Sequence, residues 1–165
     1  MARASRDDAA ADEAARLYDR LGPALYRYAL MILGDASDAE DAVHDVFLAV
    51  VRTRGRDRAN DDAYWYRAVR NQCFSALRRR VRQPVSDAPL VEALHVPAES
   101  VEERMTLDRA IRMLPPEQRE VVHLKVFEGR TFQEIADLLN ESINTIASRY
   151  RYAVDKLRVE LGIRR

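Results

Sequence analysis

With 165 residues, 47% of them hydrophobic, the chain has enough apolar material for a core and a length that suits one domain or two small ones. Its 27 basic and 27 acidic residues cancel, so net charge carries no argument for a nucleic-acid partner and any such argument must come from where the charges lie. The single Cys73 excludes an internal disulfide, and three scattered histidines without a second cysteine exclude a zinc-binding spacing.

The amino-terminal segment MARASRDDAAADEAARLYDR is polar and charged, and nowhere does an apolar run approach ~18 residues, so a soluble, cytoplasmic chain without membrane insertion is expected. Residues 8 to 33 have helical spacing, interrupted near Gly22-Pro23, where Pro can open a fresh turn. Ser37-Asp-Ala-Glu40 matches a capping box, and the helix behind it should run to about Arg52. Thr53 to Asp61 is a loop by its Gly, Asn and Asp content, and Asn60 or Asp61 can cap a long helix through Arg82. Residues 83–99, with three prolines and no sustained period, are expected to be a flexible linker. Ser100-Val-Glu-Glu103 is a second capping box; Pro115-Pro116 ends that helix and starts the next, which Gly129 closes. Thr131-Phe-Gln-Glu134 opens a short helix to Leu139, Asn140 tolerates the left-handed turn that follows, and Ser142 to about Leu161 is the last helix. No strand pattern occurs, so the expected fold is all-α. It comprises two small helical domains, 8–82 and 100–162, joined by the 83–99 linker, the second a four-helix domain.

The last two helices have the proportions of a helix-turn-helix. At ~100° per residue, Ile143, Ile146, Tyr150, Ala153, Val154, Leu157 and Leu161 fall on one side of the last helix, where Phe132, Ile135, Ala136 and Leu139 of the short helix can meet them. The other side carries Asn144, Ser148, Arg151, Tyr152 and Asp155, flanked by Thr145, Arg149 and Lys156, which are the donors, forks and ring a helix in a major groove needs. A second constellation is YWYRAVRNQCFSALRRRVRQ, Tyr64 to Gln83, with six arginines and no acid. Cations interleaved with rings suit single-stranded nucleic acid; the alternative is that Trp65, Val69 and Leu77 are ordinary core, which is the favoured reading for Trp65. The opposite charge collects in Asp35 to Asp45, DASDAEDAVHD, with five acids and no Lys or Arg. Such a helix is repelled by DNA; it suits a basic protein partner or, equally, a solvated helix start favoured by the helix dipole. Of the 27 basic residues 25 are Arg, a bias that suits phosphate contacts and that a GC-rich genome also produces.

These residues together resemble a bacterial RNA polymerase sigma factor of the small, two-domain extracytoplasmic-function (ECF) type. AEDAVHDVFLAV, Ala39 to Val50, is similar to the family's core-polymerase-binding helix. WYRAVRNQCFSALRRR, Trp65 to Arg80, is similar to its promoter-melting and minus-ten-reading helix, and Leu114 to Arg158 resembles its minus-thirty-five-reading domain nearly residue for residue. The chain departs from the family's usual pattern at Ala147, where a Lys or Arg is common, at Ser75, where Asp is frequent, and at Asn140, where the turn usually has Gly.

The resemblance implies a non-enzymatic protein without cofactor or metal whose partners are core RNA polymerase and promoter DNA, both duplex and melted non-template strand. An anti-sigma protein is a further candidate partner, since many members of the family are silenced by one. It assigns Asp38, Glu40, Asp41, Asp45 and Phe47 to polymerase. Asn60, Asp61, Tyr64, Arg67, Asn71, Arg78 and Arg79 go to the minus-ten element, with Asn60 and Asp61 in a base-capture loop. Ser148, Arg151 and Tyr152 are expected on base edges of the minus-thirty-five duplex, and Thr145, Arg149 and Lys156 on its phosphates. The rival reading is a free-standing helix-turn-helix regulator, which would not need the acidic helix or the Arg-rich aromatic one.

Overall fold

A computed structural model describes residues 4–52, 61–80, 89–95, 97 and 99–163. All its regular structure among these is helical: α1 (Ala4–Leu33), α2 (Ala36–Arg52), α3 (Asp62–Arg79), α4 (Leu90–Ala93), α5 (Val101–Arg112), α6 (Pro116–Val122), α7 (Phe132–Leu139) and α8 (Ile143–Glu160). A π-helical stretch, His123–Phe127, continues α6. The first domain is α1 to α3 and the second is α5 to α8, four helices ending in the helix-turn-helix pair.

Local chemistry sets most of the boundaries. The α3 start is capped by Asp61, whose carboxylate accepts from the Tyr64 amide, and that of α5 by Ser100, which accepts from Glu103. Both halves of the capping box form at α7: Thr131 accepts from the Glu134 amide while Glu134 reaches back to the Thr131 amide. Asn140 closes α7 at φ 54° and ψ 48°, the left-handed conformation its side chain tolerates, and Ser142 caps α8 two residues later. Gly34, at φ 71°, turns the chain sharply between α1 and α2.

Three boundaries differ from the sequence reading. Helix α1 runs unbroken through Pro23. A proline inside a helix costs about 3 kcal/mol, and burial of Leu21 and Leu25 on either side, each about 1.5–3 kcal/mol, offsets it. Helix α2 is capped not by the Ser37 box but by Asp35, whose side chain accepts from the Asp38 amide at 2.9 Å. The third is the end of α3, at Arg79 rather than Arg82.

Packing then joins what the sequence separates. Leu25, Tyr28, Ala29 and Ile32 of α1, Val43 and Phe47 of α2, and Trp65, Val69 and Cys73 of α3 form the first domain's core. The same apolar cluster continues without a break into Val121, Leu124, Ile135, Leu138 and Ile146 of the second domain. Between the domains, the linker contributes α4, whose Leu90 and Val91 are buried with Leu94 behind them. Asp108 of α5 receives the Val91 amide at 3.1 Å, which pins the segment. A one-turn helix of this kind leaves no period in the sequence for a reader to find.

Candidate nucleic-acid and partner interfaces

The acidic surface is built on α2. Ala39, Ala42, Val43, Val46 and Val50 recur at helical spacing and are buried, which turns Glu40, Asp41, His44 and Asp45 outward. Glu40 and Asp41 stand between two open grooves. One, of about 550 Å³, lies towards α3 and is lined by Asp38, Asp41, Asp45, Gln72, Arg79 and Arg80. The other, of about 440 Å³, lies towards α1 beside Tyr18, Gly22, Pro23 and Tyr26. The Tyr26 phenol is pushed above its usual range, first by burial and then by the charges of Glu40 and Asp35, which registers the negative potential there.

Of the five residues assigned to a protein partner, one lies beneath the surface and one is already paired. Phe47 is only 6% exposed, stacked on Trp65 at 4.5 Å and edge-on to Tyr18, so it belongs to the core beneath the surface. Asp38 is held in an ion pair by Arg80, whose guanidinium also donates to the Leu33 carbonyl at 3.2 Å. Arg80 therefore clips α3 to the start of α2.

On α3, Trp65, Tyr66, Val69 and Cys73 turn inward, and burial pushes the Cys73 thiol up to about 12, with the Glu120 charge adding to it. Asn71, Arg78 and Arg79 are exposed, and the two arginines are steadied by Ser75: Arg78 donates to its hydroxyl and Arg79 to its carbonyl. Tyr64 is half-buried beside Trp65, and Asp61, the helix cap, lies 3.8 Å from Arg67. Asn60 and the rest of 53–60 lie outside the described residues, as does Arg82.

On α8, Ile146 and Ala153 are fully buried, and Tyr150 and Leu157 pack beside them, with Phe132 edge-on to Tyr150 at 5.4 Å. Ile143, placed on that face by its spacing, is instead 43% exposed. Arg151, Tyr152 and Lys156 are exposed, and the Arg151 guanidinium lies 5.1 Å from the Tyr152 ring centre. Ser148 is half-buried next to them, and the Thr145 hydroxyl is engaged with Ser142 at 2.8 Å. Arg149 departs from the expected position: it faces inward and binds Glu141 at 3.2 Å. Its place three residues after Ile146 and four before Ala153 is the signal that the sequence reading passed over.

The sequence reading also missed a polar seam between the domains. Glu120 of α6 is fully buried; its Oε1 accepts from the Tyr28 hydroxyl at 2.5 Å and from Arg70 Nε at 2.7 Å. Burial dominates and raises its pKa, and Arg70, Tyr28 and Arg149 offset only part of that. Arg119 donates across the seam to the Ile32 carbonyl at 2.5 Å, and burial together with the nearby Arg112 charge lowers its pKa to about 10. Arg112 donates to the Gly34 carbonyl at 2.9 Å. Tyr66 reaches Glu128 at 2.8 Å, where His123 Nε2 and Arg130 also converge. The spacing of Glu120 four places before Leu124 marks it only once the folded chain shows Leu124 buried.

Among the described residues no group of three or more His, Cys, Asp or Glu side chains could hold a metal ion, and no helix is long and apolar enough to cross a membrane. The Sigma-70 region 2 family model matches residues 17–83, and the Sigma-70, region 4 model matches residues 104–157. A free-standing regulator has no use for the first of these. The chain is 33% identical over 179 aligned positions to the ECF RNA polymerase sigma factor SigL of Mycobacterium tuberculosis, an alignment covering 100% of both. It is 33% identical over 147 positions to the RNA polymerase sigma-E factor of Streptomyces avermitilis, covering 86% of this chain and 80% of that one. Among solved structures it resembles the sigma factor RpoE in complex with the anti-sigma factor NepR from Bartonella quintana. That likeness has a TM-score of 0.69 at 22% identity, spans 90% of this chain and 96% of the other, and is one of fold. Two Sigma-70 domains in this order, on a chain that aligns along its whole length with SigL, make it a member of the ECF sigma factors, non-catalytic proteins that direct RNA polymerase to promoters.

Proposed function

We propose that the three surfaces divide the work of promoter recognition. The exposed acids of α2, Glu40, Asp41 and Asp45, meet basic groups of core polymerase. Arg151 and Tyr152, with Ser148 beside them, meet base edges of the minus-thirty-five duplex, and Lys156 its phosphates. Asn71, Arg78 and Arg79 of α3 take the minus-ten element, with Tyr64, Arg67 and the 53–61 segment towards the melted strand. Residues 8–82 and 100–162 are the corresponding units. The observation that carries this reading is the separation of charge by element: outward acids on α2, outward cations on α3 and α8. Likeness to RpoE, solved with an anti-sigma factor, supports an anti-sigma protein as a further partner.

Run-off transcription with purified core polymerase tests the division. Arg151→Ala should cost about 1–3 kcal/mol of promoter binding and relax discrimination at its base positions while leaving core association intact. Asp41→Lys with Asp45→Lys should abolish core association and leave binding to a minus-thirty-five duplex in place. Unchanged discrimination in the first variant, or unchanged core association in the second, would refute the assignment concerned.

A further inference from the structure

The fold claims several polar side chains of the helix-turn-helix. Thr145 Oγ1 is bonded to Ser142 Oγ at 2.8 Å, Arg149 is turned inward onto Glu141 at 3.2 Å, and Gln133 of α7 donates to Asp137 at 2.9 Å. Asn144, in the first turn of α8, is different. It is exposed, its neighbour Ile143 is 43% exposed, and among the described residues its amide has no hydrogen-bond partner.

Asn144 lies in line with the residues assigned to the groove. At ~100° per residue, Asn144, Ser148, Arg151 and Asp155 fall within about 60° of one another, opposite the buried Ile146 and Ala153. Asp155, the acid of this line, stands at its C-terminal end, 3.7 Å from Arg158. Phosphates repel that end, so it is the N-terminal half, with Asn144 leading, that enters a major groove. Asn144 and Arg151 are about 10 Å apart along the axis at ~1.5 Å per residue, or about two to three base-pair steps of ~3.4 Å. The two ends of this span differ in chemistry. The Arg151 guanidinium, 5.1 Å from the Tyr152 ring centre and braced by it, has the fork that matches guanine O6 and N7. An Asn amide matches adenine instead: Oδ1 accepts from the N6 amine while Nδ2 donates to N7.

We propose that Asn144 is a further base-reading residue, taking an adenine of the minus-thirty-five element about two to three base pairs from the guanine taken by Arg151. The proposal rests on the reading of α8 as the minus-thirty-five helix, and adds to it a base identity at each end of the exposed line. A residue that merely held the first turn of α8 would be replaced at least as well by Asp, since an acid there complements the helix dipole. Asn144→Asp keeps the shape but sets a second carboxylate oxygen against adenine N7, two acceptors facing each other.

The test is transcription by core polymerase loaded with the full chain on a promoter library randomised over both elements, with the transcribed templates sequenced. Wild type should favour adenine at one position of the minus-thirty-five element and guanine at another. Asn144→Ala and Asn144→Asp should each weaken the adenine preference about five- to 150-fold while keeping the guanine one, and Arg151→Ala should do the reverse. A loss in Asn144→Ala that Asn144→Asp restores would mean that the residue only holds the helix turn, and would overturn the proposal. So would an Asn144-dependent preference for any other base, or a profile that Arg151→Ala alters and neither Asn144 variant does. A flat wild-type profile, or one that none of the three variants alters, would instead sink the reading of α8 on which the proposal rests.

Discussion

Fully buried Glu120 and half-buried Glu128 both place carboxylates between the domains, yet their surroundings push them in opposite directions. At Glu128 burial raises the pKa, but the bonds and charge of His123, then Tyr66 and Arg130, outweigh it and the net shift is downward. Its contribution to stability is therefore present above the ordinary glutamate range and lost as pH falls through its lowered value. Glu120 is raised, so its contribution is present below that range and lost as pH rises through its raised value. Glu128→Gln should cost about 1.5–3 kcal/mol at neutral pH and flatten the loss of stability on acidification. Urea denaturation of both proteins at pH 7 and pH 4 reads this; an acid loss as steep as in wild type would refute the role. Neither carboxylate stood out in the sequence, because a Glu is by default a solvated residue and only contacts from the opposing domain cover these two.

The helices themselves were largely legible, and most legible where capping chemistry and apolar period agree. Helix α7 has its Thr131/Glu134 box, its buried Ile135, Ala136 and Leu139, and Asn140 in the left-handed turn as read. Ser142→Ala should remove the amide acceptor at the start of α8, costing about 1 kcal/mol, and lower Tm by about 2–4 °C. Thermal melting by circular dichroism checks this, and an unchanged Tm would mean the cap is redundant. Elements failed to be legible where neighbours override local preference. Pro23 is carried inside α1 by the burial of Leu21 and Leu25, Asp35 displaces Ser37 as the cap of α2, and α6 passes into a π-helical stretch that brings His123 within 5.9 Å of the Tyr28 ring. Arg149 and Phe47 show the same limit at the candidate surfaces. Both occupy positions whose facing is decided by what packs on the helix rather than by its own period.

Across the whole chain, the linker is where expectation and structure part furthest. Leu90, Val91 and Leu94 are buried, so substituting Leu90 and Val91 by Ser should free the segment. Limited proteolysis within 83–99 should then become about tenfold faster, as expected when one to two kcal/mol of local opening cost is lost; an unchanged rate would show that α4 does not anchor it. Composition, helical period, capping boxes and the order of the acidic, Arg-rich and helix-turn-helix segments were enough to establish an all-α, two-domain sigma factor, because each of those signals is local in the chain. The docking of one domain on the other, the buried Glu120 and the inward turn of Arg149 came only with the folded molecule. They depend on pairs such as Tyr28 with Glu120, 92 residues apart, whose meeting leaves no trace in either segment's own pattern.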